Sequence, residues 1–376
     1  MLPEVQGGAE TADKASDRAR GGDHYRLRRL LPALRQARAA PPRRRSPRDH
    51  QQTQAKMTSA ADVKTLKRLL LCMEGARAFA MLDGAAQPDL FAILARYQPE
   101  RYCLLRGALA PDLAAVAPYL VALEPEAPFT DWVMSLWGLS SAVLGVSHRD
   151  LHWLNRHFRS LILIEHADRE AYFRYYDPVV LRNYLPICTE VELRAFFGEV
   201  EFFIVEDEEP GIALIFGFDG EVLHKHMVAL GEGVQLGTLH GLAERNRLRP
   251  QGEAGKLNIR PEQLQQLGMS IYLERMRRYL NEVFPESRMV TRTKLERMIM
   301  ELTERAAGYK LVLENHIAAF LAAAWILGMN FDEVYPAARE VLLDYEMDCG
   351  RKADWLWDFI DATAASLGTG DGGRDL

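Results

Sequence analysis

The residues with the best-known chemistry lie at 148–157, where His148, His152 and His157 occur close together. On a helix, His148 and His152 would share one face, as paired metal ligands do. With Asp177 they give one possible reading, a metal-dependent hydrolase. However, no Glu stands between them in the HExxH manner, no Cys is near, and Asp150 is poorly phased. Ordinary surface or core histidines are therefore the preferred reading. His224 and His226 flank Lys225 and would point to one sheet face, open either to a metal or to half-burial beside a hairpin. Asp83 and Asp177 each follow a strand-like run, where α/β sheets bind ligands. Asp is equally a turn and cap residue, and no Gly-rich phosphate fingerprint accompanies either position.

Glu206, Asp207, Glu208 and Glu209 form an acidic cluster. It lacks the alternating oxygen ligands and the glycine of a calcium loop, so it reads as a solvated turn. Ser140, Ser141 and Ser147 have no GxSxG context, and no His accompanies the cysteines. Arg159 and Arg174 differ from these, because they stand among aromatics that should be buried. A buried Arg needs a carboxylate or carbonyl partner, and Asp177 is the candidate for Arg174. Loss of Arg174 is then expected to unfold the first domain. The residues point to no catalytic group, no cofactor and no bound metal.

The elements that would position these groups divide the chain in two. Residues 62–73 have helical spacing, 77–82 an apolar run ending at Asp83-Gly84, 88–97 helical spacing again, and 102–105 a second run stopped at Gly107. This order reads as a βαβ unit with parallel neighbouring strands. Strands at 119–123 and 143–146 and a helix over 152–163 follow. Residues 171–176 alternate as a strand does. Asp177 then suits an N-cap and Pro178 the first helical turn. Thr189 and Glu192 have capping-box spacing, opening a helix that stops at Gly198. A strand at 201–205 precedes two strand-like runs, 212–218 and 221–227, joined by Asp219-Gly220 as a two-residue hairpin turn.

Beyond the Gly-rich stretch 231–255 the pattern is helical. Helices are expected over 261–284, from a second capping box at Thr293 and Glu296, over 309–327 closed by Gly328 in the αL position, and over 332–347 and 354–367. The fold class is thus α+β or α/β. A mixed N-terminal lobe over 57–240, holding a βαβ unit and a hairpin, is followed by a linker at 241–257 and an all-helical lobe over 258–367. The tail 368–376 is expected to be disordered.

The bulk properties narrow the classes. The 376 residues suit two domains, and 48% hydrophobic content supplies an ordinary core. The longest apolar runs, such as 318–327, fall short of the roughly 20 residues that span a bilayer. Scattered Cys72, Cys103, Cys188 and Cys349 fit a reducing compartment, so a cytoplasmic protein without membrane contact is expected. The net charge of -6 is uneven: residues 1–56 hold 13 basic and 6 acidic side chains, and the rest hold 33 and 46. An acidic body disfavours nucleic acid as the main partner. Residues 1–56 read as a disordered basic extension, either a solvated tail or translated upstream sequence foreign to the native protein, with Met57 as an ordinary start.

Several stretches together resemble one family. They are MLDGAAQPDL at 81–90, RYCLLRG at 101–107, APYLVAL at 117–123, HFRSL at 157–161, YFRYYDPVVLRNYLP at 172–186 and ELRAFFG at 192–198. Their order and spacing are similar to those of the adaptor/chaperone family of bacterial type VI secretion. The resemblance covers about 75–205. It implies a cytoplasmic, non-catalytic protein with an α/β lobe and a helical lobe. Its partners would be a secreted toxic effector and the VgrG spike, or a PAAR-type tip. The family carries over no catalytic set. Asp83, Gly84, His157, Phe158, Arg159, Arg174, Asp177 and Pro178 are its motif residues here and read as structural. Effector contacts are expected on the helical lobe or in the cleft between the lobes, and spike contacts on the α/β lobe.

Overall fold

The computed structural model describes residues 59–70, 73–166, 169–209, 211–232 and 259–369. The basic extension, the expected linker and the last seven residues lie outside them. By packing, the chain divides into two units between Ile271 and Tyr272, within one long helix.

The first unit is built on seven strands, in the order β2 (Arg101–Cys103), β3 (Pro118–Leu123), β1 (Arg77–Asp83), β4 (Ala142–Ser147), β7 (Val200–Glu206), β8 (Ile212–Phe218) and β9 (Leu223–Ala229). Every pairing is antiparallel. β1, β4, β7 and β8 are buried along almost their whole length, because helices cover both faces of the sheet. One face packs Ala80, Leu144 and Ile204 against α1 (Ala60–Leu70), α2 (Leu90–Tyr97) and α4 (Pro128–Ser135). The other packs Phe79, Val143 and Phe203 against α5 (Leu151–Leu161), α6 (Pro178–Tyr184) and α7 (Glu190–Phe197). This two-sided cover explains why these strands read as apolar runs rather than alternating ones. A short helix α3 (Pro111–Val116) precedes β3.

The expected parallel βαβ unit is not formed as such. β1 and β2 run in the same direction, but β3 lies between them and pairs antiparallel with both, through Asp83↔Pro118 and Tyr102↔Leu120. β2 has only three residues and none is fully buried, whereas β3 matches β1 over six positions. The longer, more apolar strand takes the interior place, giving a split β-α-β arrangement. On the other side of β1, Phe79 lies across Gly145 of β4. A Cβ at Gly145 would stand 2.4 Å from the ring, so the ring can lie there only over a glycine.

Three local expectations are also corrected. Asp219-Gly220 is not a two-residue turn. The last pair is Phe218↔Leu223, leaving four loop residues, and Asp219 Oδ1 accepts the N–H groups of Glu221 and Val222 at 3.0 and 2.8 Å. Residues 171–176 are strand only to Tyr172. There β6 (Arg169–Tyr172) pairs with β5 (Leu163–His166) in a separate two-stranded sheet. The chain then turns inward, where the Tyr175 hydroxyl donates to the Phe158 carbonyl at 2.7 Å. Glu206 does not open a solvated turn but is buried as the last residue of β7.

The second unit is helical. From Tyr272 it comprises the rest of α8 (Pro261–Val283), then α9 (Arg292–Gly308), α10 (Glu314–Leu327), α11 (Phe331–Val334), α12 (Pro336–Leu343) and α13 (Cys349–Thr369). Residues Ile317 to Ala324 of α10 are all buried, as expected of a central helix apolar on every side. The second capping box is absent: Thr291 is the N-cap without a side-chain bond, and Glu296 instead engages Arg277 and Arg292. The single helix expected over 332–347 breaks at Tyr335-Pro336, since Pro cannot continue the preceding turn but suits the first position of α12. Gly328 does have positive φ (106°), but its ψ of 152° is extended rather than αL. Lys352 is fully buried; its ammonium donates to the carbonyls of Leu342 at 2.7 Å and Tyr309 at 3.4 Å. It thereby satisfies the C-terminal ends of α12 and α9. Among the described residues, no helix is long and apolar enough to cross a membrane.

Candidate functional site

Five of the motif residues, Asp83, Gly84, Arg174, Asp177 and Pro178, meet at one end of the sheet. Asp83 ends β1, is 3% exposed, and binds the turn after it through Oδ1, which accepts from Ala85 N at 3.0 Å. Gly84 comes so close to the end of α3 that a Cβ would lie 2.5 Å from the Ala117 carbonyl oxygen. Asp83 Oδ2 receives Arg174 Nη2 in an ion pair, and the same nitrogen reaches Asp177 Oδ2 at 3.5 Å. The Arg174 guanidinium also lies 5.7 Å from the centre of the Tyr176 ring. Asp177 caps α6, its Oδ1 accepting from Val179 N at 3.0 Å, with Pro178 as the first helical residue. Arg174 thus clasps the end of β1 to the start of α6. The sequence paired it with Asp177; the more deeply buried carboxylate is Asp83, 91 residues away. Arg174 itself is 25% exposed, so it is half-buried rather than buried.

The HFR motif stands on α5. His157 is buried, stacked on Trp153 at 5.2 Å, and its Nε2–H donates to the Phe196 carbonyl at 2.8 Å. Gly198 has φ +51° and sits where a Cβ would be 2.6 Å from the imidazole, which ties this histidine to the end of α7. Phe158 is fully buried between Phe79 and Tyr175, with ring centres at 5.5 and 5.9 Å. Burial pushes the Tyr175 phenol well above its ordinary range. Arg159 departs from the expected burial. It is half-buried and donates to the Leu105 carbonyl at 3.2 Å.

The residues of the hydrolase reading are not brought together. His148 precedes α5 instead of sharing its face with His152, and lies 4.0 Å from Glu201. His152 is exposed, with its ring edge-on to Tyr102 at 6.0 Å. Asp150 caps α5 through Trp153 N at 2.7 Å, and Asp177 is engaged as described. His224 pairs with Asp219 at 2.6 Å. Burial raises the Asp219 carboxyl, but the His224 bond and two loop amides outweigh it and bring the group down to about 2. Among the described residues, no group of three or more His, Cys, Asp or Glu is placed to hold a metal ion. Cys103, Cys188 and Cys349 are free thiols, and burial pushes Cys188 up to about 12, away from the thiolate that nucleophilic chemistry requires.

At this sheet end sequence reasoning missed one charged residue, Arg182, and misplaced another, Glu206, as solvated. Arg182 is 7% exposed and donates to the main-chain carbonyl of Glu206 at 2.8 Å. The available sign for Arg182 was its place in α6, four residues after Pro178 and so on the same helix face as that buried residue.

A family model described as Domain of unknown function (DUF4123) matches residues 78–195. The match opens in β1 and closes in α7, so it contains every motif residue named above. No curated protein and no solved structure matches the chain.

Proposed function

We propose that this chain is a non-enzymatic, cytoplasmic adaptor/chaperone that binds a type VI secretion effector and loads it onto the VgrG spike or a PAAR-type tip. The observation that carries this reading is the family match over 78–195, because that domain is known in type VI secretion effector adaptors. The bonding of the motif residues is consistent with it. Asp83, His157, Arg159, Arg174 and Asp177 engage main-chain groups or one another, which makes them parts of a scaffold.

On this reading the helical unit holds the effector and the sheet unit meets the spike. Amphipathic helices offer grooves that take up helices or extended segments of a partner. Deletion of the gene is expected to abolish export of the cognate effector while its intracellular level persists. Unchanged export would contradict the proposal. Stoichiometric zinc or manganese in the purified protein would instead favour a metal-dependent hydrolase.

A further inference from the structure

Glu206 takes no part in the Arg174 clasp. It ends β7, is 4% exposed, and by the two-residue period of the strand shares the face of Phe202 and Ile204. Oε2 accepts the Ser140 N–H at 2.9 Å and its hydroxyl at 3.4 Å, while Oε1 has no hydrogen-bond partner. Arg182 contributes a nearby positive charge, but its 2.8 Å bond to this residue goes to the main-chain carbonyl and not to the carboxylate.

Among the described residues, the neighbouring elements supply no ion-pair partner. β4 and β8 carry no charged side chain. On α1, Lys64 and Arg68 are exposed, Asp62 binds Ser59 N at 2.9 Å, and Lys67 pairs with Asp131 of α4 at 2.5 Å. On α7, Glu190 pairs with Arg194 at 2.6 Å and Glu192 binds Thr189 N at 2.7 Å.

The loop that Glu206 holds, Leu136 to Ser141, joins α4 to β4. Gly138 in it has φ +92°, and Ser140 has φ +51°, a left-handed conformation that is strained for a non-glycine residue. The Asp83 N–H donates to the Ser141 carbonyl at 3.2 Å and Gln87 Nε2 to the Ser141 hydroxyl at 2.6 Å, with the Asp83 carboxylate itself paired to Arg174, so the far end of the loop is tied to β1 while Ser140 is held by a buried carboxyl group that no described cation pairs with.

We propose that Glu206 is a proton-operated latch on this loop. With the carboxyl neutral the loop stays closed over the sheet end, and loss of the proton favours an open loop in which the carboxylate meets water. Burying an unpaired carboxylate disfavours its charged form, and opening also releases the Ser140 strain. Burial pushes Glu206 up from 4.5 to about 7, against smaller opposing effects of the Ser140 and Gly138 amides and Arg182. The closed form holds the proton more tightly, so the open fraction rises with pH. Between pH 5.5 and 8.5 the increase is about 30-fold, taking 4.5 for the open form.

Hydrogen exchange of the full chain, corrected for the intrinsic pH dependence of exchange, reads this directly. Protection at Leu139, Ser140 and Ser141 is expected to fall about 30-fold over that range and to stay well below that of Ala80 in β1, which exchanges only when the sheet unfolds; in Glu206→Gln the loop is expected to show no such fall. Loop protection independent of pH in the unmodified chain overturns the latch, whether or not Glu206→Gln folds. So does an equal fall in Glu206→Gln, or loop protection equal to that of Ala80, which would mean that the loop opens only when the sheet unfolds.

Discussion

Replacing Arg174 by Ala removes the clasp between β1 and α6. Asp83 would keep the Ala85 amide but lose the cation on Oδ2, at a site where its side chain is only 4% exposed. Breaking a fully buried ion pair from one side costs about 3–5 kcal/mol. Arg174 is 25% exposed, so water replaces part of the lost interaction and about 2–3 kcal/mol remains. For a unit of this size that corresponds to a fall in Tm of about 5–10 °C, a weakened sheet unit rather than an unfolded one. Calorimetry on the full chain measures it. Asp83→Asn supplies the control, since a neutral side chain needs no counter-ion. In that background the further cost of Arg174→Ala should drop below about 1 kcal/mol. A Tm unchanged by Arg174→Ala, or the full penalty persisting when Asp83→Asn is also present, would refute the clasp.

The other expectations concern packing and charge. Gly145→Ala forces a methyl group into the Phe79 ring and should cost about 1–3 kcal/mol in chemical denaturation. Lys352→Met leaves the carbonyls of Leu342 and Tyr309 without their donor and should destabilise the helical unit by about 1–3 kcal/mol, read from its thermal transition. Glu206→Gln should stabilise the sheet unit at pH 8 by on the order of 3 kcal/mol and have little effect at pH 4. The sign follows from a carboxyl raised from 4.5 to about 7: its favourable state is complete below 4.5 and is lost as pH rises through 7. Asp219 has the opposite sign. It is lowered from 3.8 to about 2, so its support of the β8–β9 hairpin is present above pH 3.8 and lost as pH falls through 2, which exchange at the Glu221 and Val222 amides would show.

Local chemistry was the legible part of this chain. Asp177 and Pro178 start a helix, Thr189 and Glu192 form the capping box, and Gly198 stops the helix, all as their side chains dictate. These signals act within four residues. The strand order was not legible in the same way. The insertion of β3 between β1 and β2 depends on which strand buries more surface, and that is settled only once all three compete for β1. The clasp failed for a related reason. Asp177 was the obvious partner for Arg174 at a distance of three residues, and nothing local pointed to Asp83. Glu206 read as solvated because it opens an acidic run, although its burial comes from the strand behind it. In the helical unit, Thr293 and Glu296 had the spacing of a cap, but Arg277 and Arg292 drew the carboxylate away.

The adaptor proposal is tested most directly by purifying the tagged full chain from its own host and measuring the stoichiometry of the proteins encoded beside its gene. The proposal predicts a defined complex with a toxic effector, and capture of VgrG or a PAAR-type tip that depends on this chain. Elution of the chain alone, from cells in which effector and spike are both present, would contradict it.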